Sequence, residues 1–130
     1  MGTLGQLLIV DDNVELLDLI CESFRGIGYA VERAETGRDA IVRYAARRPD
    51  VVLLDLRLPD LPGEAAFLRM RQLDATVPII VVSANQDLGI AKDLLRRGAF
   101  DYAPKPCSLD YLERSVAAAL GVRTPARRPA

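Results

Sequence analysis

The sequence predicts an α/β domain, a doubly wound five-stranded parallel sheet with helices on both faces. Five short apolar runs alternate strictly with five stretches of helical periodicity, the pattern of successive βα units. Runs such as LLIV (7–10) and VVLL (51–54) are apolar on consecutive residues, which suits strands buried on both sides. Acids, a hydroxyl and a lysine follow these runs directly, at the strand ends where open α/β sheets bind ligands.

Taken in order, the strand runs are LLIV at 7–10, YAV at 29–31, VVLL at 51–54, PIIVV at 78–82 and a weaker FDYA at 100–103. Between them Leu16, Leu17, Ile20, Phe24 and Ile27 recur at helical spacing, followed by Ala40, Ile41, Tyr44 and Ala45. Ala66, Phe67, Met70 and Leu73 make a third stripe, Ile90, Ala91, Leu94 and Leu95 a fourth, and Leu109, Leu112, Val116 and Leu120 a fifth. Punctuation agrees. Thr36 with Asp39 three residues on resembles a capping box, Pro62 suits a first helical turn, Ser108 suits an N-cap, and Gly98 and Gly121 suit helix ends. Right-handed crossovers then leave an open doubly wound sheet as the simplest architecture, and its parallel strands end at one edge.

The 130 residues suit one domain with a core that needs no staples, and half of them are hydrophobic. With 17 basic against 18 acidic residues, net charge −1, nothing biases the chain toward nucleic acid or anionic lipid. Cys21 reads as buried filler and Cys107 as a second reduced thiol, which fits a cytosolic protein. There is no apolar run of membrane-spanning length and no leader-like start, so a cytoplasmic location is expected. Histidine is absent altogether, which removes the usual general base and the commonest zinc ligand. Phosphohistidine chemistry would have to come from a partner.

The stretch VVLLDLRLPDLPG carries an acid, Asp55, at the end of a buried run. Locally such an aspartate reads equally well as a turn former or a helix cap. Its neighbours at the sheet edge decide the matter. Asp11 and Asp12 follow the first strand, Ser83 ends the fourth, and Lys105 lies just past the fifth. Carboxylates about 4 Å apart repel by roughly 4 kcal/mol at an effective dielectric near 20, so a cation must offset them. An all-oxygen donor set points to Mg2+, which prefers a few carboxylates and completes its shell with water and phosphate oxygens. Lys105 adds a second positive charge and Ser83 a hydroxyl donor. An aspartate so placed is equipped to attack phosphorus and become an acyl phosphate, and Asp55, the single acid ending a central strand, is the candidate nucleophile.

From Leu7 to about Leu120 the chain resembles the receiver domain of two-component response regulators. The family's acidic pair matches Asp11 and Asp12 in LLIVDDN, and its phosphoacceptor matches Asp55 in LLDLRLPDLPG. Its hydroxyl position matches Ser83 in VVSA, its lysine-proline pair Lys105 and Pro106 in PKP, and its aromatic switch position Tyr102 in FDYAPKP. The resemblance implies a flavodoxin-like (βα)5 fold with strand order 2-1-3-4-5. It also implies that Asp12, Asp55 and the main-chain carbonyl of Arg57 ligate Mg2+, with Asp11 helping through water. The phosphoryl group would come from a sensor histidine kinase or a histidine phosphotransfer protein. Ser83 would then move toward it, Tyr102 would turn into the vacated space, and the face made by the fourth helix, fifth strand and fifth helix would change what it binds. Arg57 and Asn85, two residues past Asp55 and Ser83, would flank the mouth and tune the phosphoryl lifetime.

The chain departs from the family at Leu58, often methionine there, at Cys107, commonly a large aromatic, and at Pro104 before Lys105; a cis Lys105–Pro106 bond is expected by analogy. A haloacid-dehalogenase-like phosphatase would need a general-acid aspartate where Arg57 stands. An FMN carrier of similar architecture would need a hydroxyl-rich phosphate loop in place of Asp11 and Asp12. Residues 1–120 are thus expected to form the receiver domain, and 121–130, rich in proline and arginine, a flexible tail or the start of a linker. Output is expected through a downstream effector or the protein's own C-terminal domain, or through a phosphorylation-dependent homodimer on the output face, where Arg96 and Arg97 lie. No membrane contact, and no nucleic-acid contact by this domain itself, is expected.

Overall fold

Consecutive residues of a strand face opposite sides of a sheet, so a run apolar at every position must serve two cores. The computed structural model, which describes residues 3–123, shows that arrangement. The elements are β1 (Gln6–Val10), α1 (Val14–Ile27), β2 (Ala30–Ala34), α2 (Gly37–Ala46), β3 (Val51–Asp55), α3 (Gly63–Leu73), β4 (Ile79–Ser83), α4 (Leu88–Arg96), β5 (Asp101–Pro104) and α5 (Leu109–Arg123), with a 3-10 turn at Asn85–Asp87. All strand pairs are parallel and the order is β2-β1-β3-β4-β5. Leu8, Val10, Val52, Leu54, Ile79 and Val81 pack beneath α2, α3 and α4 on Tyr44, Phe67, Met70 and Leu94. Leu7, Ile9, Val51, Leu53, Ile80 and Val82 pack on the other face against α1 and α5 through Leu17, Phe24, Leu112 and Val116. Every residue of β3 and β4 is buried. The chain passes outward to β2 and then returns to the far side of β1 as β3, so strand order reverses between β1 and β3, and that crevice is where such sheets bind ligands.

Local chemistry sets the boundaries. Asn13 Oδ1 caps α1 by accepting from Leu16 N at 3.1 Å, and Gly28, at φ 125°, ends it in a backbone conformation that a side chain would strain. Thr36 Oγ1 caps α2 by accepting from Asp39 N at 3.1 Å, but the Asp39 carboxylate turns to Arg43 instead of closing a capping box. Ser108 Oγ accepts from Tyr111 N at 3.0 Å at the start of α5, as its sequence position suggests. Gly98, at φ 111°, follows α4.

Three elements differ from the sequence expectation. β2 runs over Ala30–Ala34, later than 29–31, because as an edge strand it takes its register from β1, from Gln6↔Ala30 to Val10↔Ala34, and carries Glu32 and Arg33 that dilute its apolar signal. Ile90 and Leu95 of the fourth stripe are exposed at 38% and 37%, while Ala91 and Leu94 between them are buried. α5 continues through Gly121 to Arg123, since a helical glycine costs only about 1 kcal/mol and packing of the helix on the sheet overrides it. The rest of the expected tail, 124–130 with Arg127 and Arg128, lies outside the described residues. No helix among the described residues is long and apolar enough to cross a membrane.

Candidate functional site

The carboxyl ends of β1 and β3 bring two buried acids together. Asp55 is the last residue of β3 and Asp11 the first beyond β1; they are 3% and 4% exposed. Asp12, next to Asp11, is exposed, and one carboxylate oxygen from each of the three lies within 4.8 Å of the others. Each buried acid is oriented by the backbone two residues ahead: Asp11 Oδ1 accepts from Asn13 N at 2.9 Å and Asp55 Oδ1 from Arg57 N at 3.1 Å. Their other oxygens share one cation, with Lys105 Nζ 3.1 Å from Asp11 Oδ2 and 3.2 Å from Asp55 Oδ2. Lys105 reaches them from the loop after β5, which is held to β4 by Lys105 N donating to Ser83 O at 2.8 Å. The Lys105–Pro106 bond is cis.

Burial raises the Asp55 carboxyl to about 6, and the Asp11 charge pushes the same way. The Arg57 N–H and Lys105 oppose the shift without cancelling it. Burial alone would lower the Lys105 pKa, but the two carboxylates outweigh it and raise it. One ammonium facing three carboxylates leaves a site short of positive charge. Its donors are hard oxygens, so the cluster suits a small divalent cation.

The other expected site residues fall around this centre. Ser83 ends β4 beside β3, buried, with its hydroxyl donated to Ala84 O at 3.2 Å. Asn85 is exposed in the 3-10 turn just beyond. Tyr102, in β5, packs against the core under α2–α4, and its hydroxyl is fully enclosed without a hydrogen-bond partner. The ring thus packs inward on that core. Sequence reasoning missed two acids. Asp87 pairs with the Arg57 guanidinium, Nε to Oδ2 at 3.0 Å and Nη2 to Oδ1 at 3.3 Å. Asp60, in the PDLPG turn, accepts from Gly37 N and Arg38 N at 2.8 and 2.9 Å and so fixes the loop after Asp55 to the start of α2. An acid next to a helix start was the one visible signal for Asp87.

The model of the response regulator receiver domain family matches residues 7–117, a span containing the whole site. The chain belongs to the response regulator receiver family. This receiver domain is 36% identical over 124 residues to the regulatory protein AtoC of Escherichia coli K12, covering 95% of the chain and 27% of AtoC. It is 31% identical over 116 residues to the DNA-binding transcriptional regulator NtrC of Salmonella typhimurium, covering 86% of the chain and 25% of NtrC. The chain thus spans about a quarter of the length of these curated relatives. Among solved structures, a CheY-like response regulator receiver domain protein from Methanospirillum hungatei JF-1 matches with TM-score 0.90 at 26% identity, covering 95% of the chain and 99% of that protein. The receiver domain is a signalling module with the flavodoxin-like sheet expected from its sequence.

Proposed function

We propose that this receiver domain accepts a phosphoryl group on Asp55 from a phosphohistidine of a sensor histidine kinase or histidine phosphotransfer protein. The observation that carries this reading is the pairing of Asp55, buried at the end of a central strand, with Lys105 at 3.2 Å in a cluster of three carboxylates. An oxygen of ionised Asp55 forms the new bond to phosphorus as the phosphorus–nitrogen bond breaks and the donor histidine leaves. Lys105 offsets charge on the incoming oxygens, and burial beneath the loops limits access of water. Asp11, Asp12, Asp55 and the main-chain carbonyl of Arg57 would hold Mg2+, which supplies charge neutralisation for the phosphoryl oxygens.

Phosphorylated, Asp55 carries about −1.5 to −2 charge in place of its single carboxylate charge, and Ser83 has the hydroxyl to meet it. Tyr102 supports a switch role in an altered sense: its ring is already inward, and its enclosed hydroxyl awaits an acceptor. Output runs through α4, β5 and α5, where Leu88, Ile90, Leu95 and Tyr111 stay exposed, toward an effector, a C-terminal domain or a second copy. Because NtrC, one of the similar proteins, is named a DNA-binding transcriptional regulator, control of an effector of that kind is the favoured output.

The test is incubation with Mg2+ and acetyl phosphate followed by intact-mass measurement. The wild type should gain one phosphoryl mass and Asp55→Asn none. An unmodified wild type, under conditions that preserve acyl phosphates, sinks the reading.

A further inference from the structure

Arg57 and Asp87 face each other across the mouth of the site, from the loop after β3 and the 3-10 turn before α4. Arg57 belongs to the site through its main chain, whose N–H bonds Asp55 Oδ1, while its guanidinium makes the two-point contact with Asp87. Asp87 is 8% exposed and occupies the N-cap position of α4, yet its side chain makes no capping bond to that helix. An aspartate there ordinarily caps the first turn, so its carboxylate has been turned to the arginine instead. A new dianionic group on Asp55, two residues from Arg57, would compete for the same guanidinium with three strong acceptor oxygens.

We propose that the Arg57–Asp87 ion pair is an occupancy-sensitive latch on the β4–α4 connection. Closed, it ties that connection to the loop behind Asp55. When phosphoryl oxygens take the guanidinium, Asp87 is released to cap α4 and the connection loosens. The opening step rests on the reading of Asp55 as phosphoacceptor, whereas the closed latch does not.

Amide hydrogen exchange over residues 84–87, the connection ahead of the amides an Asp87 cap would protect, tests both parts, in wild type, Asp87→Asn, Arg57→Gln and the double variant. Without Mg2+ or any phosphate mimic, each single variant should speed exchange about two- to fivefold, and the double variant no more than either single. Unchanged exchange in the singles, or additive effects in the double, overturns the closed latch. Beryllofluoride with Mg2+ should then speed exchange in the wild type and add little in the variants, with its binding followed separately by fluorine NMR. Bound mimic without faster wild-type exchange overturns the latch. Absence of a bound-fluorine signal overturns the phosphoacceptor reading, and with it the opening step, while the variant cycle still judges the closed pair.

Discussion

Removing the Asp55 carboxylate should make the protein more stable, and by an amount that depends on pH. Its carboxyl is raised from 3.8 to about 6, first by burial and then by Asp11. Below 3.8 it is protonated in both the folded and unfolded chains and costs nothing. As pH rises from 3.8 through 6 the unfolded chain releases the proton more readily, so folding stability falls across that window. The full penalty is about 3 kcal/mol at most, and most of it develops between about pH 4 and pH 7. Asp55→Asn keeps the shape and cannot ionise. In urea titrations under chelator, the variant should gain on the wild type by about 2–3 kcal/mol over that range, a widening of the midpoint gap by roughly 1–2 M at ordinary m-values. Mg2+ at about 100 times its dissociation constant should return about 2.7 kcal/mol to the wild type and far less to the variant. Parallel pH profiles for the two proteins in chelator would refute the assignment of Asp55 as a buried, under-neutralised anion.

Lys105→Met leaves Asp11 and Asp55 facing each other without their shared ammonium; a loss of about 3–5 kcal/mol is expected near neutral pH, measured by urea unfolding and recovered in part by Mg2+. Gly63→Ala places a methyl group 2.4 Å from Leu56 Cα and 2.6 Å from Asp55 O, so backbone must move: about 2–3 kcal/mol of stability should go, with slower acetyl-phosphate labelling. Gly26→Ala and Gly89→Ala, where nothing lies within 4 Å, should instead stabilise by about 0.5–1 kcal/mol in the same titration. Tyr102→Phe removes an enclosed hydroxyl that has no partner, so thermal unfolding should show a gain of about 1 kcal/mol or no change, and a clear loss would show that the hydroxyl is bonded.

The site's centre was legible because each of its residues is adjacent to a strand. A run of four apolar residues fixes where β3 stops, and Asp55 is then placed to within one position; the same holds for Asp11 after β1, Ser83 at the end of β4 and Lys105 after β5. Parallel topology does the rest by bringing those ends to one edge. Asp87 and Asp60 were not legible because their partners are set by how loops fold over that edge, and loops carry no periodicity. Gly63 belongs with them: its requirement comes from the backbone of Leu56 and Asp55 passing within contact, and a glycine one residue after Pro62 reads as simple punctuation. The inward Tyr102 ring was beyond reach for a different reason, since both orientations of an aromatic at that position suit the same sequence. Edge strand β2 was misplaced where mixed charge replaced alternation, and α5 overran Gly121 because tertiary packing outweighs a single weak helix former.

One lysine for three carboxylates is a choice with consequences for switching. A second fixed cation beside Asp55 would relieve the burial penalty and make the resting fold more stable. It would also remove the reason for the site to bind anything. A ligand shifts an equilibrium only by the difference in its affinity for the two states, so a site neutralised in advance has little free energy left to pass on. The deficit that raises Asp55 to about 6 is therefore the reserve from which metal and phosphoryl binding draw on the proposed reading. Arg57 is where that reserve connects to the rest of the molecule. Its N–H orients the Asp55 carboxylate and its guanidinium holds Asp87 at the head of α4, so under the proposed latch a change of charge at Asp55 would reach α4 through a single residue.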